Sequence, residues 1–103
     1  MLKHCVFLNF KPESAPADHK AVFETLSDLQ GEIPGMLSFA YGPNLDFEHK
    51  SQSYSQGFIA TFTDRQAHLA YETHPAHIKA GAQLVDMCVG GYEGIMVFDL
   101  KVG

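Results

Sequence analysis

The chain has 103 residues, 46% hydrophobic and 18% charged, a globular composition that excludes general disorder. Twelve acidic against seven basic residues give a net charge of −5, and the cations are scattered along the chain. Nucleic acids and anionic membranes are held by clustered cations, so neither is an expected partner.

This length fits a single domain over residues 1–103. A chain of this size buries only roughly 60–70% of the surface it exposes when unfolded, so its core is thin and a second subunit would help it. The two cysteines, Cys5 and Cys88, lack metal or redox spacing and sit beside apolar runs, where they read as small hydrophobes. The opening apolar run is short and interrupted by His4 and Asn9, unlike a signal peptide, and no stretch approaches a membrane span. A soluble, cytoplasmic protein is expected.

Leu2 to Phe10 alternates, with Leu2, His4, Val6, Leu8 and Phe10 on one face and Lys3, Cys5, Phe7 and Asn9 on the other, which predicts a first strand. Pro16 suits the first turn of a helix running to about Gln30, in which Val22, Leu26 and Leu29 make one face widened by Phe23. Gly31 to Gly35 stops it, and Met36 to Tyr41 predicts the second strand. A polar stretch from Gly42 to Ser53 is long for a hairpin loop, and a lid over a ligand is one role open to it.

Tyr54 to Phe62 predicts the third strand, with Gln56, Phe58, Ala60 and Phe62 sharing a face. Thr63 or Asp64 would cap a helix that carries Ala67, Ala70 and Tyr71 and breaks at His74-Pro75. Helix resumes from Pro75 to about Met87, Gly90-Gly91 closes it, and Tyr92 to Leu100 predicts the last strand. The order strand, helix, strand, strand, helix, strand is the split pattern of ferredoxin-like α+β folds, a four-stranded antiparallel sheet with its helices on one side. Cys5, Phe7, Ile59, Ile95 and Val97 are expected on the other side, too apolar to leave in water. A homodimer packed through this open face would cover them.

Six histidines is a high count for the length. His4 points from the first strand toward the helices, either as a satisfied core histidine or as part of a site. Tyr71, His74 and His77 recur at intervals of three across the break at Pro75. Imidazole titrates near neutrality and a phenol can hold a carbonyl, so Tyr71 with His77 could serve acid–base chemistry. The bland alternative makes Tyr71 a core aromatic and His74 a cap. His4, His74 and His77 as zinc ligands are a weak pattern without a matching carboxylate, and neither a metal nor a cofactor is assigned. His19, His49 and His68 read as solvated, and Asp99 as a surface carboxylate.

Several pieces together resemble the stress-responsive A/B barrel (Dabb) family: His4 to Lys11, Ile33-Pro34-Gly35-Met36, Tyr54 to Phe58, Phe62-Thr63-Asp64, Val97-Phe98-Asp99 and, most specifically, Tyr71-Glu72-Thr73-His74-Pro75-Ala76-His77. The resemblance implies a dimeric α/β barrel of ferredoxin-like protomers, with a small organic ligand in a pocket lined by His and Tyr. By position Tyr71, His77 and His4 match the family's site residues, and Gln56 and His74 are expected as further ligand-binding residues; the alternative to a ligand-binding dimer is a lyase, cyclase or isomerase with Tyr71 and His77 as its catalytic pair. A characterised plant cyclase of the family has a further pocket histidine where this chain has Gln56. Glutamine forms hydrogen bonds but does not exchange protons near neutral pH, which separates this chain from that cyclisation.

Overall fold

A computed structural model describes all 103 residues. It comprises β1 (Leu2–Leu8), α1 (Pro16–Asp28), β2 (Met36–Pro43), β3 (Gln56–Phe62), α2 (Arg65–Thr73), α3 (Pro75–Met87) and β4 (Ile95–Lys101), with short 3-10 turns at Leu29–Gly31 and Gly91–Gly94. The strands form one four-stranded sheet in the order β2-β3-β1-β4, every pair antiparallel. This is the expected ferredoxin-like α+β arrangement. No helix is long and apolar enough to cross a membrane.

Local chemistry sets the boundaries. Pro16 occupies the first turn of α1, where its missing N–H leaves no bond unmade, and α1 buries Val22, Phe23 and Leu26 against the sheet. After the 3-10 turn, Gly35 turns the chain at φ +89°. A Cβ there would meet Thr63 Oγ1 at 2.6 Å and the Ala67 methyl at 2.8 Å, so only glycine lets β2 start this close to α2. Asp64, not Thr63, caps α2 by accepting the Ala67 N–H at 2.9 Å. Leu8, Phe23, Leu26, Leu29, Phe62, Tyr71 and Cys88 are the largest wholly buried side chains, between the helices and one sheet face.

The edge strand β4 corrects one expectation. The register pairs Val97 with Val6 and Ile95 with Leu8, which puts both on the helix side. Phe98 pairs with Cys5 and Met96 with Phe7, so the open face carries Cys5, Phe7, Ile59, Met96, Phe98 and Leu100. Both sides of β4 are apolar, so alternation gave no contrast from which to choose, and a one-residue phase error exchanges the faces. The strand also starts at Ile95 rather than Tyr92, because Gly91–Gly94 forms the 3-10 turn.

The segment between β2 and β3 is internally bonded. Asn44 Nδ2 donates to Ser51 Oγ at 2.9 Å and to the Tyr54 carbonyl at 2.8 Å. Asp46 Oδ1 accepts from the Lys50 and Ser51 amides and from the Ser51 hydroxyl. The segment borders the open face, where Leu45, Ser51 and Tyr54 join Phe7, Ile59 and Phe98 around a groove of about 500 Å³.

Candidate functional site

The break at His74-Pro75 brings the candidate residues together. His74 is extended (φ −65°, ψ 134°), ends α2 and caps α3, its Nδ1 accepting the Ala76 N–H at 3.0 Å. Its Nε2 lies 3.4 Å from Glu32 Oε1. Both ring nitrogens are thereby engaged in structure, and His74, expected to bind ligand, acts as the joint between the helices. The joint places the rings of Tyr71 and His77 4.5 Å apart, on opposite sides of the break.

Tyr71 is wholly buried and its hydroxyl has no hydrogen-bond partner. Burial raises its pKa, so the phenol stays protonated and is a donor in search of an acceptor. His77 Nδ1 lies 3.1 Å from the Glu72 carbonyl oxygen. A carbonyl only accepts, so Nδ1 carries the proton and Nε2 keeps its lone pair. Burial, the largest influence, lowers the His77 pKa, which favours this neutral, basic form.

His4 is buried in the middle of β1, its ring 6.0 Å from that of Tyr71. Asp99 lies directly opposite on β4, and its Oδ1 is 2.6 Å from His4 Nδ1. The carboxylate accepts from Nδ1–H, which in the neutral ring leaves His4 Nε2 as the acceptor. Asp99 was expected at the surface without a role; its pairing with His4 spans 95 residues and is visible only once the register is known. Gln56 pairs with Leu8, whereas His4 pairs with Ala60. The two positions share a face but stand about 13 Å apart along the sheet, at roughly 3.3 Å per residue, so Gln56 is not brought to the Tyr71–His77 pair.

His68, expected in solvent, lies inside the protein. It is 3% exposed, and α2 buries Ala67, His68 and Tyr71 while Ala70 faces solvent. Its ring lies 4.6 Å from that of His4 and 5.3 Å from that of Phe62. Arg65 Nη1 donates to His68 Nδ1. His19, also expected in solvent, is 6% exposed and stacks on Phe10 with ring centroids 3.6 Å apart. The Ser14 hydroxyl sits 2.7 Å from its Nε2, a structural lock far along the chain from the cluster. The polar neighbours of both histidines are short-range, and a buried aromatic one helical turn on, Tyr71 three positions from His68 and Phe23 four from His19, was the available sign that the ring faces inward.

His4, His68 and Asp99 place potential metal ligands within 4.8 Å of one another. The hydrogen bonding opposes that use. Arginine has no acceptor, so His68 Nδ1 must accept from it and Nε2 must carry the proton, leaving no lone pair for a metal. His4 Nδ1 is likewise committed to Asp99. The cluster is better described by its proton placement: acceptors at His77 Nε2 and His4 Nε2, and a donor at Tyr71 Oη. Such a set can hold an oxygen atom and exchange a proton with an adjacent carbon.

Comparison with known proteins agrees with the sequence resemblance. Olivetolic acid cyclase of Cannabis sativa is 29% identical over 95% of this chain and 93% of its own. A stress-response A/B barrel domain-containing protein of Arabidopsis thaliana is 26% identical, covering 97% of this chain and 88% of its own. A solved structure from Jannaschia sp. CCS1, described as a dimeric ferredoxin-like protein of unknown function, superposes with a TM-score of 0.94 at 44% identity over 98% of both chains. The family profile described as Stress responsive A/B Barrel Domain matches residues 2–102, and with the fold and the Tyr71–His77 arrangement in place the chain belongs to that family.

Proposed function

We propose that this protein is a homodimer that binds a small organic ligand through a carbonyl oxygen at the cluster of Tyr71, His77 and His4. One observation carries the reading: the Tyr71 hydroxyl is buried with no partner. Leaving a buried hydroxyl unpaired costs on the order of 1–3 kcal/mol, a cost that a ligand oxygen would remove. His77 is half-buried and Asp99 half-exposed, so these two connect the cluster to solvent.

Acid–base catalysis is the second reading, and the neutral state of His77 favours it. His77 Nε2 would take a proton from the carbon beside the carbonyl. The electron pair of that C–H bond would move onto the carbonyl oxygen, which the Tyr71 hydroxyl would hold as an enolate. Similarity to olivetolic acid cyclase supports a reaction of this kind. A screen of small ketones and β-dicarbonyl compounds against wild type and His77→Ala separates the readings. Turnover lost with binding retained supports catalysis. Binding without turnover by either protein leaves the ligand-binding reading, and no binding of any carbonyl compound would sink both.

The dimer would form through the open sheet face. Related structures described as dimeric support it, as do the exposed apolar side chains of Ile59, Met96, Phe98 and Leu100. Covering that face would complete the thin core of a chain this short.

A further inference from the structure

We infer that His68 is a second hydrogen-bond donor to the ligand oxygen, and that the cluster therefore selects ligands presenting an anionic or strongly polarised oxygen. The inference rests on the ligand-binding reading above and adds a residue and a ligand chemistry to it. Its starting point is that His68 Nε2 is buried without a hydrogen-bond partner, as Tyr71 Oη is. Glu72 Oε1 stands 3.5 Å from this nitrogen but does not complete a hydrogen bond with it.

Arg65 decides what His68 can offer. Its guanidinium donates to Nδ1, which forces the neutral ring to carry its proton on Nε2. Arg65 is more than half exposed and is steadied by Glu72 Oε2 at 3.6 Å, so it acts on the tautomer from the solvent side of the cluster. Burial, the largest influence on this ring, opposes a proton on both nitrogens. His68 is thus kept as a neutral N–H donor.

The two unpartnered donors border the same pair of rings. His4 lies 4.6 Å from His68 and 6.0 Å from Tyr71, and Phe62 lies 5.3 Å from His68 and 5.1 Å from Tyr71. Two buried donors that complete no hydrogen bond, next to the lone pairs of His4 and His77, make a site short of one well-placed, negatively polarised oxygen. Fixed donors in a site of low polarity act most strongly on an oxygen that carries charge, so the enolate form of a ketone or a phenolate would be held more tightly than its neutral form.

The test has two parts. In the wild-type protein, nitrogen-15 NMR of the imidazoles should show His68 protonated at Nε2 and His77 and His4 at Nδ1. A His68 ring protonated at Nδ1 overturns this inference and leaves the carbonyl-ligand reading intact. The second part is an absorbance titration with 4-nitrophenol. Wild type should bind the phenolate and lower its apparent pKa. Tyr71→Phe and His68→Phe should each weaken phenolate binding about ten- to a hundredfold, the usual worth of one hydrogen bond to a charged oxygen. Arg65→Met, a change at an exposed position, should weaken it in the same direction and move the His68 proton to a mixture of nitrogens. Wild-type affinity in both His68→Phe and Arg65→Met, with Tyr71→Phe weakened, overturns the role of His68 alone. No binding by wild type overturns the inference together with the reading of the cluster as a ligand site.

Discussion

His4 Nδ1 and Asp99 Oδ1 lie 2.6 Å apart, between residues directly opposed on β1 and β4. The pair ties the most buried polar position of β1 to the edge of the sheet. It also decides which nitrogen of His4 faces the helices. Replacing Asp99 with Ala removes the acceptor and leaves a buried N–H unpaired, which should destabilise the fold by about 1–3 kcal/mol in urea denaturation. Asp99→Asn keeps an acceptor oxygen and should lose clearly less. Equal losses in the two variants would show that the hydrogen bond is not what Asp99 contributes.

Tyr71 should behave in the opposite way. Its hydroxyl is buried and unpartnered, so Tyr71→Phe removes a group that burial penalises and no partner compensates. The variant is expected to be as stable as wild type or more so, by up to about 1 kcal/mol, while losing ligand affinity. A clear loss of stability in thermal denaturation would mean that the hydroxyl is bonded in the ligand-free protein, and the argument for a waiting ligand site would fail.

The β4 register makes a sharp comparison for the dimer. Phe98 is half-exposed on the open face, opposite Cys5, and Val97 is half-exposed on the helix side, opposite Val6. A charge buried in an apolar interface is strongly unfavourable, so Phe98→Asp should dissociate the dimer at micromolar concentration. Val97→Asp should leave it intact. Sedimentation velocity distinguishes the two, and a dimer that survives Phe98→Asp but not Val97→Asp would place the interface elsewhere.

Much of the fold was legible because its signals are local. Alternation from Leu2 to Leu8, Pro16 and Pro75 at helix starts and the glycines around Ile33 each mark an element boundary without help from distant residues. The spacing of Tyr71 and His77 around Pro75 was equally visible, and the joint at His74 brings their rings together. What stayed hidden depends on alignment between distant segments. Asp99 acquires its role only through the β1–β4 register, and Gln56 loses proximity because a shared sheet face says nothing about position along the strand. His68 was obscured differently. A histidine on a helix reads as polar by composition, whereas the packing of α2 turns its 67–68–71 stripe inward.

Three histidines, two buried and one half-buried, give the protein a stability that depends on pH. His19, His68 and His77 all have pKa values lowered mainly by burial. In the unfolded chain an unperturbed histidine titrates near pH 6.5, with the folded value below it. Below about pH 6.5 the unfolded state therefore binds more protons than the folded state, and stability falls as pH drops toward the folded pKa values. Above about pH 7.5 both states carry neutral imidazoles, and these groups contribute no slope. Urea denaturation midpoints measured from pH 8 to pH 5 should be level at the alkaline end and decline through the acidic end. His77→Gln, which cannot titrate, should flatten part of that decline while leaving the alkaline plateau level. A midpoint that rises between pH 7 and pH 5.5 would contradict the burial-lowered assignments.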